Sequence, residues 1–204
     1  MVGLAIQSRS LVVPARPDPS VELAVAPVPR RNTQDSTRSS SISRPAQSIM
    51  KATATVRAAK DADAQAICAL HLLAVRTHCA PHYAPEIIEG WLRGRVPEGY
   101  LPGIRSGSMF VAETDATVVG FGQSKPGEVL AVFVEPDSAR RGIGSLLLAK
   151  ALSDAGAGKG AVRVESTINA VGFYEGHGFR VLGHGTQRRN DVDVPVVIME
   201  RHAG

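Results

Sequence analysis

Beyond Lys51 the apolar residues of this chain switch between two spacings, one near 2 and one near 3.6, which mark strands and helices respectively. The stretch Ala54-Thr55-Val56-Arg57 reads as a short first strand. Asp61 and Asp63 suit a helix start, where carboxylates satisfy free N–H groups and oppose the helix dipole. Ile67, Leu70 and Ala74, with Leu73 beside them, make the buried stripe of that helix, and Pro81 is expected to end it. A second helix follows Pro85 and carries Ile87, Ile88 and Trp91. Residues 109–113 and 117–122 read as strands joined across Thr114-Asp115-Ala116. Residues 128–134 are apolar enough for a strand central to its sheet.

The next helix carries Ile143, Leu146, Leu147 and Ala151 on one side, and the glycine-rich run from Gly156 to Gly160 stops it. A strand over 161–165, a short helix over 170–177 and two strands around 179–188 and 192–201 complete the chain, the last pair turning at Asn190-Asp191. The order is β-α-α-β-β-β-α-β-α-β-β. It predicts an α/β (α+β) fold with a mixed sheet and helices on both faces.

Residues 1–49 have neither period. They are rich in Pro, Ser and Arg, and the polar run from Asn32 to Ser41 cannot bury enough apolar surface to offset its ordering entropy. They read as a disordered leader, or as sequence upstream of a true start at Met50; five prolines between Pro14 and Pro29 argue against the amphipathic helix of a transit peptide. The domain is therefore expected over residues 50–204.

Charge changes this picture little. The net charge is +4, of which residues 1–50 carry +3, so the folded part lacks the basic stripe of a nucleic-acid-binding domain. No apolar run approaches the roughly 18 residues that span a bilayer, so no membrane partner is expected. Cys68 and Cys79 are too few for a secreted disulfide framework and read as free thiols in the reducing cytoplasm. His78 and His82 have a ligand-like spacing, but Pro81 lies between them and no further ligands follow at zinc-finger spacing, so no metal is expected.

The candidate chemistry lies after the central strand. Arg140-Arg141-Gly142-Ile143-Gly144-Ser145 opens a helix, whose free N–H groups and positive dipole end bind phosphate. Gly142 and Gly144 let the backbone turn tightly and approach a ligand, and the two arginines add positive charge. A Rossmann loop would need a third glycine where Leu147 stands, and a Walker loop needs Gly-Lys-Ser/Thr.

Val134-Glu135-Pro136 followed by Ala139-Arg140-Arg141-Gly142-Ile143-Gly144 resembles the acetyl-CoA motif of the GNAT superfamily of N-acetyltransferases. The stretch from Asn169 to Phe179, with Phe173-Tyr174 and Gly178-Phe179, resembles that family's later motif. The resemblance covers about residues 54–201. It implies the GNAT acyl-CoA N-acyltransferase fold, with a mostly antiparallel sheet of about seven strands. It also implies acetyl-CoA as acyl donor and transfer to a primary amine, on a small molecule more readily than on a protein N-terminus. The alternative is a degenerate module that binds acyl-CoA without turnover. Edge strands in such folds often pair, which allows a homodimer.

The resemblance further implies site roles. Backbone N–H groups of Val132, Phe133 and Val134 would bond the pantetheine arm, and Arg140, Arg141, Gly142, Ile143, Gly144 and Ser145 would hold the pyrophosphate. Tyr174 matches the general acid. The loop departs from the family at Ala139, where Gln or Arg is usual, and Thr167 stands where many members carry Asn, leaving Asn169 as a second contact candidate. For the general base, Glu128 at the opening of the central strand is carried forward, with Glu165, His82, His177 and a water chain left open. Tyr83, Trp91 and Tyr100 are candidates to border the acceptor.

Overall fold

The computed structural model describes residues 54–156 and 160–202; the leader over 1–49 lies outside them. Seven strands form one sheet: β1 Thr55–Ala58, β2 Met109–Thr114, β3 Thr117–Lys125, β4 Glu128–Val134, β5 Val162–Ser166, β6 Arg180–Arg189 and β7 Val192–Arg201. Their spatial order is β1-β2-β3-β4-β5-β7-β6, which puts β4 at the centre. Every neighbouring pair is antiparallel except β4 and β5. The helices are α1 Ala64–Ala74, α2 Pro85–Leu92, α3 Leu101–Arg105, α4 Ile143–Ala155 and α5 Val171–Glu175.

Both faces of the sheet are covered, and β2 shows why. Its residues are buried on alternate sides, Phe110 and Ala112 joining the cluster under α4 while Met109 and Val111 join the cluster under α1. Helix α4 contributes Ile143, Leu147, Leu148, Ala151, Leu152 and Ala155 to the first. Helix α1 contributes Ile67, Leu70 and Ala74 to the second. A third cluster joins Val75, Cys79, Tyr83, Ile88, Trp91 and Leu92 to Val194 of β7.

Two apolar positions depart from expectation. Leu73 is 49% exposed, because it lies roughly 120° round α1 from Ile67, at about 100° per residue; His71 takes the buried place instead. Leu146 is 44% exposed, and Leu148 points inward in its stead. Helix α1 also does not run to Pro81. It passes at Val75 into a π turn over Val75–Cys79 and then a 3-10 turn over Ala80–His82. Helix α3 has no sequence signal, since Pro102 and Gly103 occupy two of its five positions.

Helix α2 is clamped to the β6–β7 hairpin. Asn190 Nδ2 donates to the carbonyls of Gly90 (2.8 Å) and Arg93 (2.9 Å), at the helix end where carbonyls lack intrahelical partners. Arg93 pairs with Asp191 at 2.7 Å. The approach is close enough that a Cβ on Gly90 would stand 2.3 Å from Val192 Cγ1. Among the described residues no helix is long and apolar enough to cross a membrane.

Candidate active site

Strands β4 and β5 pair only at Glu128↔Arg163 and Val129↔Val164 and then diverge. The remainder of β4, although central, is only half-buried from Leu130 to Val134. Residues along a strand turn their N–H and C=O alternately to its two neighbours. Glu135 N donates to Val119 O on β3 at 2.9 Å, so Phe133 and Ala131 also face β3 while Val134 and Val132 face the gap. At the other end, Arg163 N donates to Gly127 O at 2.9 Å, which turns Gly127 and Val129 towards β5. The two alternations meet at a register shift, where Gln123 pairs with Ala131 but Ser124 pairs with Val129. Leu130 is the extra residue of this bulge. It aims the N–H groups of Val132 and Val134 into the opening, whereas the Phe133 N–H belongs to the β3 ladder.

The opening leads to the start of α4. Gly142 is the N-cap residue, with φ +84°, a conformation L side chains rarely adopt. Leu146 N bonds Gly142 O, leaving the amides of Ile143, Gly144 and Ser145 before the helical ladder begins. Arg140 also has a positive φ, +59°, at the turn. Arg140 and Arg141 are exposed, and neither joins an ion pair among the described residues, so their charge is available to a ligand.

Helix α5 packs against this turn. A Cβ on Gly144 would meet the Phe173 ring at 3.3 Å. His177 Nε2 lies 3.0 Å from Ser145 Oγ, and its Nδ1 lies 2.8 Å from Phe173 O. A side chain at position 144 would therefore press on that ring. Tyr174 is buried in the cluster against which Val132 and Val134 pack, between the edges of Phe173 and Phe179. Burial pushes its phenol well above the usual tyrosine range, so it is a protonated donor at neutral pH. Among the described residues no group hydrogen-bonds its hydroxyl.

A gap with two inward amides, a helix N-terminus beside free arginines and a protonated phenol buried in the adjoining cluster suit an extended phosphate-bearing ligand. The sequence profile described as the acetyltransferase (GNAT) domain matches residues 79–200. The chain belongs to the GNAT acetyltransferase family. A curated relative, the uncharacterized N-acetyltransferase YafP of Escherichia coli (strain K12), is 27% identical over 128 residues, 62% of this chain and 81% of that protein. Among solved structures, a GCN5-related N-acetyltransferase from Rhodopseudomonas palustris superposes with a TM-score of 0.69 at 23% identity, over 74% of this chain and 96% of its own. The PaiA N-acetyltransferase from Thermoplasma acidophilum, in complex with coenzyme A, superposes at 0.59 and 26% identity, over 74% and 99%.

The remaining candidates of this GNAT enzyme are distributed unevenly. Glu128 opens β4 at the closed end of the gap and pairs with Lys125 at 2.7 Å. Glu165, on β5, accepts from Gln187. His82 is exposed, and His177 is held between Phe173 and Ser145. Thr167 turns to Cys79, whose thiol burial pushes up to about 11, while Asn169 is exposed. Trp91 is core; Tyr83 bonds Pro195 O and Ile168 N, and Tyr100 bonds His71. Among the described residues no group of three His, Cys, Asp or Glu could hold a metal ion.

Sequence reasoning passed over His71, Arg95 and Arg189. His71 left one trace, a titratable residue on the buried side of α1 between Ile67 and Ala74. The arginines left none, because each is brought inward by the clamp between α2 and the hairpin.

Proposed function

We propose that residues 50–204 form a domain that transfers the acetyl group of acetyl-CoA to a primary amine, on a small molecule more readily than on a protein N-terminus, by direct attack of the amine on the thioester. The observation that carries this reading is the gap beside β4 with the amides of Val132 and Val134 turned into it. An N–H held there stabilises negative charge developing on the thioester oxygen and needs no reorganisation to do so. Acetyl-CoA supplies the activated acyl group and a thiolate leaving group. The amides of Ile143, Gly144 and Ser145, with Arg140 and Arg141, hold its pyrophosphate, and exposed Asn169 is better placed than Thr167 to assist.

Tyr174 donates its phenolic proton to the departing sulfur. Glu128 is the base in this reading. It lies on the face of β4 opposite Val129, and it takes the proton of the amine directly or through water.

Thiol release from acetyl-CoA across a panel of amines, with Tyr174→Phe alongside wild type, tests the proposal. Release with some amines, reduced strongly by the substitution, is expected. Coenzyme A binding without release from any amine would assign the chain to a non-catalytic binding module.

A further inference from the structure

On the face of β4 opposite α4 lies a group of polar side chains that neither the gap nor the loop uses. The His71 ring stands 4.4 Å from that of Phe133, the β4 residue between the two inward amides. Its Nδ1 is 2.9 Å from Tyr100 Oη, and its Nε2 is buried without a hydrogen-bond partner. Arg95 Nε is likewise buried and unpartnered. Arg189 donates to Gln187 Oε1, and Gln187 donates to Glu165 Oε2.

Arg189 pairs across the hairpin with Val192, which packs on Gly90, and Arg95 lies two residues beyond Arg93, whose carbonyl accepts from Asn190, so both arginines leave the clamp on the α2 side of the sheet. Their mutual influence agrees with that placement. Arg189 is pushed below the ordinary guanidinium range by burial and then by the charge of Arg95, with Glu165 opposing. His71 is held down by burial and then by both arginines. Two partly buried guanidiniums in one field, one with an idle buried N–H, favour an anion. A guanidinium fork matches the two oxygens of a carboxylate.

We infer that this group of side chains receives the acceptor and that Arg95 and Arg189 bind a carboxylate on it, making the acceptor an amino-carboxylic acid. The inference rests on the acetyltransferase reading of the neighbouring gap. It supplies what that reading lacks, the chemical class of the amine.

The test uses the full chain with matched acceptors: the common L-amino acids and ω-amino acids, their carboxamides, and the corresponding aminophosphonates. At least one carboxylate is expected to be acetylated with kcat/KM about tenfold or more above its carboxamide. Arg95→Gln and Arg189→Gln should raise the KM for that acceptor by about tenfold or more and leave the KM for acetyl-CoA within about twofold. Arg95→Lys and Arg189→Lys, which keep the charge but lose the fork, should fall between. Equal use of carboxamides, a preference for aminophosphonates, or an acceptor KM unmoved in both glutamine variants would overturn the inference while acetyl transfer stands. If no amine releases thiol, the transfer reading fails instead, and calorimetric titration of amino acids into the coenzyme A-saturated protein decides the carboxylate site. Binding that both glutamine variants abolish supports the carboxylate site, and no binding overturns it.

Discussion

Gly144 and Phe173 touch: a Cβ on the first would stand 3.3 Å from the ring of the second. This contact joins two motifs that lie 29 residues apart in the chain. It also means that the turn at the start of α4 is buttressed by α5 rather than standing alone. Gly144→Val should therefore shift Phe173, costing about 1–3 kcal/mol in urea denaturation and raising the KM for acetyl-CoA. Phe173→Ala in the same chain should recover part of the stability lost on adding the valine, as a double-mutant cycle would read it. Strict additivity of the two losses would show that the ring does not buttress the turn.

The loop arginines carry charge and the glycine carries shape. Arg140→Ala and Arg141→Ala are each expected to raise the KM for acetyl-CoA severalfold, by about 1 kcal/mol, with kcat little changed. Gly142→Val should be worse. Its φ of +84° costs a β-branched residue about 1–2 kcal/mol or more in backbone strain, and the amide cradle distorts with it. Steady-state kinetics with acetyl-CoA varied provide the check, and small, equal effects from all three would count against the loop assignment.

Tyr174→Phe removes one oxygen from a buried site in which the neighbouring contacts are aromatic. Proton donation by a placed side chain contributes about 10²–10⁴-fold, so kcat should drop within that range while the KM for acetyl-CoA stays close to wild type. Stability offers a second measure. The folded phenol titrates above its unfolded value, so its contribution is full below about pH 10 and is lost as pH rises beyond it. Alkaline unfolding should accordingly begin at higher pH in the phenylalanine variant.

His71 gives the opposite dependence. Burial and the two arginines hold the folded imidazole well below its ordinary value, whereas the unfolded chain protonates it near about pH 6.5. Its contribution is full above that point and is lost as pH falls, by about 1.4 kcal/mol per pH unit until the folded value is reached. Urea midpoints measured from about pH 7.5 down to about pH 5 should show this slope, and His71→Gln should flatten it. A slope that survives the substitution would place the proton uptake elsewhere.

The sheet and its helices were largely legible in the sequence. The run from Glu128 to Val134 predicted the central strand, and Gly156 marked the end of α4, where it adopts φ +80°. Ambiguity entered where two leucines competed for one face, as at Leu146 and Leu148. Periodicity cannot say which side of a broadly apolar helix meets the sheet. The glycine turn before α4 and the short helix carrying Tyr174 were legible because their signals are local, a turn with its charges and one aromatic residue. His71, Arg95 and Arg189 come from three separate segments, which the packing of His71 near Trp91 and the clamp of α2 on the hairpin bring to one side of the sheet. The parity of β4 was hidden for a similar reason, since a bulge is a relation between strands and leaves no mark on either alone.

That parity rests on a single residue. If Leu130 took a place in the ladder instead of bulging out of it, an unbroken alternation would carry Phe133 into the hydrogen-bonding phase of Val129 and β5, and the N–H groups of Val132 and Val134 would turn back to β3. The composition and the order of the strands would be the same, while the side chains of residues 131–134 would exchange faces. Whether one residue is paired in the ladder or left out of it thus decides whether the middle of this sheet offers donors to a guest or spends them on its own neighbour.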